Sequence, residues 1–302
     1  MALKHRLISG ILLVSGMVLA SYYLPSIMLW AILVAVCGLA GAEFHAMLSA
    51  GNLPSFRYLA LAAGAVLVSA TFFSLVGPVS HWLTARGLQG ELETLALLAI
   101  ILSVMIRQFP QKYNSQPIVT VACTLLGVLY VPYLYNFFTK LGFGWEQVSL
   151  WTPMSRTGRL MVFYLVVVVK SVDTGAFLIG SACGRHKLFP RVSPSKTWEG
   201  VMGGLAGGIA ASLIFFLIAV DGSLSSAPFG VVTVHLHDAV ALGFILAAAA
   251  VVGDLAESLI KRAVGAKDSG HSLPGLGGLM DVLDSLLFAA PILYLYARFF
   301  MQ

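Results

Sequence analysis

The sequence predicts an all-α, polytopic integral membrane protein of about nine transmembrane helices. Three observations predict it. The chain of 302 residues is 59% hydrophobic and only 10% charged, whereas soluble domains carry about 25% charged residues. Apolar runs follow one another at lengths reaching or approaching the ~20 residues that cross a bilayer. Between them no stretch is long enough for a sizeable soluble domain. Helices are expected because lipid offers no partner to an unpaired backbone group.

Met1–Arg6 is a short basic start, with Lys4 and Arg6. Residues 7–24 form the first apolar run. Val18-Leu-Ala20 gives it a weak likeness to a signal peptide, but the run is long for one and further spans follow at once. The other spans fall at about 26–42, 58–79, 92–106, 118–138, 160–180, 201–220, 239–257 and 279–298, the fourth being short. The connection from Glu43 to Arg57 shows no evident chemistry. Trp145 and Trp151, in loop 139–159, suit the lipid interface. Gly203, Gly204, Gly207 and Gly208 allow span seven to pack closely on a neighbour. His235, His237 and Asp238 read as a solvated loop.

Cys37, Cys123 and Cys183 are scattered, odd in number and without metal spacing, so neither a disulfide framework nor a zinc site is expected. The net charge of +5 reflects loop bias rather than nucleic-acid binding. With the N-terminus in the cytoplasm, twelve of the 18 Lys and Arg residues face inside, five face outside, and Lys170 lies within a span. That asymmetry obeys the positive-inside rule. It puts the basic loops 181–200 and 258–278 on the cytoplasmic side.

Chemistry concentrates around those loops. Span six carries Lys170 and Asp173, three residues apart and able to pair. A charge at that depth needs a partner or water. Asp173 is expected roughly 10 Å from the inner end of its span, at 1.5 Å per residue. The following loop holds Ser193, Ser195, Lys196, Thr197 and Trp198, and Ser193 or Ser195 is suited to cap a helix start. Asp254 falls near the inner end of span eight. The stretch 258–284 then opens on Lys261 and Arg262. It continues through Lys267, Asp268, His271, a glycine-rich turn and finally Asp281 and Asp284. Two carboxylates at that spacing share one helix face and repel unless a cation joins them. Mg²⁺ is usually held by one or two carboxylates plus substrate phosphates. The stretch reads as a metal–phosphate site where a loop enters the membrane. The plainer alternative has Asp281 capping the helix and Asp284 at its wet end.

The order Ser258, Lys261, Arg262, Lys267, Asp268, Gly270, Pro274, Gly275, Gly277, Gly278, Asp281, Asp284 resembles the signature of phosphatidate cytidylyltransferases. Leu276 and Val282 stand where that signature has His and Arg. Ser193-Pro-Ser-Lys-Thr-Trp-Glu-Gly200 and the run from Asp173 to Phe177 resemble the same family. The likeness covers about 165–290. Residues 1–150 are expected to be scaffold and 151–302 to carry the catalytic motifs.

The resemblance implies transfer of a cytidylyl group from CTP to phosphatidate drawn from the bilayer, yielding CDP-diacylglycerol and pyrophosphate. The acids placed near the cytoplasmic side are read as holding Mg²⁺, with a second cation allowed, through Asp281, Asp254 and Asp284. Lys261, Lys267 and Asp268 would join Asp281 and Asp284 in catalysis. Arg262, Lys196, Ser193, Thr197 and Asp173 would bind substrate and phosphate. The expected setting is the inner membrane, with the N-terminus and active site facing the cytoplasm and a homodimer allowed. The rival readings are a CTP-dependent polyprenol or phytol kinase and an isoprenoid-lipid cytidylyltransferase. A transporter would place acids near mid-bilayer and repeat its architecture, and no repeat is visible in the sequence.

Overall fold

In the bilayer interior an apolar segment satisfies its backbone within itself, and the spans accordingly fold as helices. The computed structural model describes residues 14–88, 90–112, 114–219, 226–266, 268–270, 272 and 277–301. Among them, seven helices are long and apolar enough to cross a membrane: Ser26–Ala50, Arg57–Leu75, Pro117–Phe143, Arg156–Cys183, Trp198–Ala219, Leu236–Ala263 and Leu279–Phe300. The chain is a multi-pass helical membrane protein. Of the nine spans expected, the first lies partly outside the described residues and is helical over 14–23 (α1). The fourth is α5 (Glu91–Gln108), an 18-residue helix that carries Glu91, Glu93 and Arg107.

The chain divides into two units, 1–155 with 263–282, and 156–262 with 283–302. In the first unit, α2 (Ser26–Ala50), α3 (Arg57–Leu75), the short α4 (Pro78–Ala85) and α5 pack around α3. The last span of this unit is α6 (Pro117–Val128), a π-helical turn at Leu129–Tyr133 and α7 (Leu134–Phe143). Pro132 lies inside the π turn, where its missing N–H is accommodated. Leu67 and Phe72 are fully buried in two apolar clusters, one with Ile100 and Val128, the other with Val76 and Phe143. A polar knot crosses this packing. Lys140 meets Glu93 at 2.8 Å, and the Asn136 amide donates to Thr71 at 2.7 Å.

In the second unit, α8 (Arg156–Cys183) and α9 (Trp198–Ala219) lie in close contact. A Cβ at Gly175 would collide with the Gly203 carbonyl, and one at Gly207 would sit 2.7 Å from the Ser171 carbonyl. The glycine-rich face of span seven therefore does what its spacing predicts. Gly208 and Gly243 allow the same approach between α9 and α10 (Leu236–Ala263). Loops add two short antiparallel hairpins, β1 (Lys187–Phe189) with β2 (Ser193–Thr197), and β3 (Ser226–Phe229) with β4 (Val232–His235).

Three local expectations change. Helix α10 runs on to Ala263, so Lys261 and Arg262 occupy its last turn rather than a loop. That position favours cations, which offset the partial negative charge of a helix C-terminus. Ser193 and Ser195 lie in strand β2, and the oxygen that accepts at the start of α9 is Thr197 Oγ1, 3.1 Å from the Gly200 N–H. Asp238 is 1% exposed rather than solvated. It accepts from the His235 N–H at 2.9 Å and the Tyr296 hydroxyl at 2.9 Å, closing the start of α10.

Candidate active site

Three acid–base pairs of the second unit involve residues singled out by the sequence, with two further polar contacts beside them. Lys196, in β2, places its Nζ 2.6 Å from Asp254 Oδ2 on α10, an ion pair without a directed hydrogen bond. Ser258 Oγ lies one turn along α10, 3.5 Å from Asp254 Oδ1. Lys170 and Asp173 pair along α8 at 3.0 Å, both more than a third exposed, as their spacing allows. Lys261 reaches back one turn to Glu257 at 2.6 Å, and Glu257 is 1% exposed. Arg262 Nε donates to the Val192 carbonyl at 3.3 Å, joining the end of α10 to the turn between β1 and β2.

Asp284, on α11 (Leu279–Phe300), is 7% exposed, so it does not lie at a wet helix end. The charged groups that act on it are Asp254, Lys170 and Asp173. A close helix contact brings α10 up to it. A Cβ on Gly253 would meet the Asp284 carbonyl at 2.7 Å and the Phe288 side chain at 3.2 Å. The second unit thus gathers Asp254, Asp284, Asp173, Lys170 and Lys196. Ser193 and Thr197, the two ends of β2, are buried, and the Thr197 hydroxyl is hemmed in by Gly180, Gly184 and Gly200.

Asp281 belongs to the first unit. Its Oδ2 accepts the Gly278 N–H at 2.9 Å and its Oδ1 accepts the Ser269 N–H at 3.3 Å. The capping role foreseen for it is therefore real. Gly277 has φ +95°, a left-handed conformation natural to glycine, and a Cβ there would press on Asp281 Oδ2 at 3.1 Å. Asp268 is exposed. Lys267, His271, Pro274, Gly275 and Leu276 lie outside the described residues.

Three acids that the sequence reading left without a role prove to be tied in. Glu199, in the first turn of α9, accepts from the Arg185 and His186 N–H groups and meets His186 Nδ1 at 2.6 Å. Glu257 is the i,i+4 partner of Lys261, a spacing readable in advance. Glu43, 8% exposed on α2, binds the N–H groups of Leu279 at 3.0 Å and Met280 at 2.8 Å. Its one signal was a lone acid near the end of an apolar run.

A hard divalent cation needs oxygen donors. Among the described residues no cluster of three or more His, Cys, Asp or Glu side chains could hold one. Two carboxylates completed by substrate phosphates would suffice. Asp254 and Asp284 offer that donor set, and Asp254 already binds one cation, the Lys196 ammonium.

The helices define a multi-pass membrane protein, and the acid–lysine pairs lie on or beside its spans. The chain belongs to the Cytidylyltransferase family, whose sequence model matches residues 4–300. The chain is 40% identical over 161 residues to the phosphatidate cytidylyltransferase of Brucella suis, covering 53% of this chain and 55% of that one. It is 33% identical over 175 residues to that of Bacillus subtilis, with 58% and 57% covered. Against the chloroplastic phosphatidate cytidylyltransferase 4 of Arabidopsis thaliana it is 32% identical over 220 residues, with 68% and 52% covered. The chain thus matches about half the length of these curated relatives.

Proposed function

We propose that the protein transfers the cytidylyl group of CTP to phosphatidate in the inner membrane, with the active site facing the cytoplasm. Membership in the family and the names of its relatives support the reaction class. The observation that carries the site is the ion pair of Lys196 with Asp254 beside buried Asp284. It joins the block before α9 to the helix, α10, that leads into the second block.

In the reaction, an oxygen of the phosphatidate phosphate attacks the α-phosphorus of CTP. A new P–O bond forms, the α–β anhydride bond breaks, and pyrophosphate leaves with that electron pair. The nucleophile is already an anion, so no strong general base is needed. The barrier is mutual repulsion of anions, which cationic groups lower by positioning and charge stabilisation. Asp254 and Asp284 of the second unit would hold Mg²⁺, and Asp281, in the first unit, is assigned a functional role from its place in the motif alone. Bound there, Mg²⁺ would neutralise charge on the phosphates. Lys196 would exchange its carboxylate partner for a phosphate as substrate arrives. Arg262, Lys261 and Lys267 would complete the cationic lining, and Asp173 would orient Lys170. Ser193 and Thr197 would shape the hairpin that presents Lys196.

The test is the purified protein in detergent with cytidine-labelled CTP, phosphatidate and Mg²⁺. The expected result is a lipid-extractable cytidine product formed in equal amount with pyrophosphate. An Asp254→Asn protein that made as much product would remove Asp254 from the site.

A further inference from the structure

We propose that Glu43 is a positioning residue for the catalytic helix α11, and that the motif glycines Gly270 and Gly278 are small in order to admit its carboxylate. The proposal rests on the reading of Asp281 as a functional carboxylate.

Every group involved lies in the first unit. Glu43 stands on α2, 236 residues before Leu279, and its two oxygens divide between successive N–H groups, Leu279 to Oε1 and Met280 to Oε2. The first N–H groups of a helix have no partner within it, and the partial positive charge there favours a carboxylate. The Gly278 N–H goes to Asp281 Oδ2. Three consecutive N–H groups are thus taken by two carboxylates, one local and one from a distant span.

The fit is close enough to explain the glycines. A Cβ on Gly270 would lie 2.7 Å from Glu43 Oε1. One on Gly278 would lie 2.9 Å from Glu43 Oε2 and would also strike Ser269 Oγ. Neither residue has a left-handed φ, so steric room rather than backbone conformation selects glycine. Met280 is the residue before Asp281. Fixing its N–H fixes where the Asp281 side chain leaves the helix. A shift of about 1 Å at a reacting centre is enough to cost about a hundredfold in rate.

Glu43→Gln keeps the shape but replaces one acceptor oxygen with a donor that cannot serve an N–H. In the full-length protein three readouts are expected. Amide hydrogen exchange over 278–284 should quicken about tenfold or more while other helices keep their protection. The kcat for cytidylyl transfer should fall about tenfold to a hundredfold with the CTP KM within about threefold of the parent, and the melting temperature should stay close to it. Glu43→Asp, which retains the carboxylate, should recover part of the rate, and Gly270→Ala should reproduce the Glu43→Gln pattern. Unchanged exchange over 278–284 would overturn the proposal. So would exchange quickened across the whole protein with kcat per folded molecule intact, the mark of a general structural role. If the parent protein forms no liponucleotide, the functional reading fails by itself, and the exchange pattern still decides whether Glu43 holds α11.

Discussion

Lys196 Nζ and Asp254 Oδ2 stand 2.6 Å apart, linking the β1–β2 hairpin to the middle of α10. Neither side chain is fully buried, at 20% and 36% exposed. The Lys196 ammonium itself is shielded from solvent, while Asp254 keeps enough exposure to be solvated alone. In the proposed reaction the pair holds a lysine ready beside an acid. Replacing Lys196 with Met is expected to lower kcat/KM for CTP about a hundredfold, about 2.7 kcal/mol of transition-state stabilisation, with little change in melting temperature. Lys196→Arg should recover only part of it, because a planar guanidinium does not replace a compact ammonium. Steady-state kinetics on the three proteins checks this.

Asp284 is expected to be less tolerant. Asp284→Asn should leave the fold intact and reduce transfer below about one thousandth of the parent rate. Raising Mg²⁺ should not restore it. A variant that regained full rate at high Mg²⁺ would make Asp284 a contributor to affinity only. The measurement is a Mg²⁺ titration of activity beside a thermal melt.

Helix contacts through glycine make a second kind of prediction. A Cβ on Gly243 would lie 2.7 Å from Ile209 Cα, whereas one on Gly38 would meet nothing within 4 Å. Gly243→Ala should destabilise the protein by about 1–3 kcal/mol, the range for overpacking. Gly38→Ala should be neutral or stabilising by up to about 1 kcal/mol, through the better helix propensity of alanine. Thermal unfolding in one detergent compares them directly.

Orientation is tested at Cys183, the exposed last residue of α8. With Cys37 and Cys123 replaced by alanine, a membrane-impermeant maleimide should label Cys183 in inverted vesicles and not in right-side-out ones. The opposite pattern would place the β1–β2 hairpin outside.

The spans were legible because their information is local. An apolar run of ~20 residues has one stable outcome in lipid, and the glycines of α9 announce close packing by spacing alone. The pairs Lys170–Asp173 and Lys261–Glu257 lie three and four residues apart, so helix geometry makes them neighbours. The Lys196–Asp254 pair and the Glu43 clamp were not legible, because they join residues far apart in the chain. The β1–β2 hairpin hid in a loop dense with Ser, Pro, Arg and Lys, which has no two-residue alternation to reveal a strand. Span eight looked shorter than α10 because the helix's last turn carries the charged Lys261 and Arg262.

In the proposed reaction the bond broken in CTP is the one between the α- and β-phosphates. The most direct measurement incubates the protein with phosphatidate, Mg²⁺ and CTP labelled either at the α-phosphate or at the γ-phosphate. The account predicts α-label in the lipid fraction and γ-label in free pyrophosphate. Label from the γ-phosphate in the lipid, with CDP released, would show a kinase and contradict it.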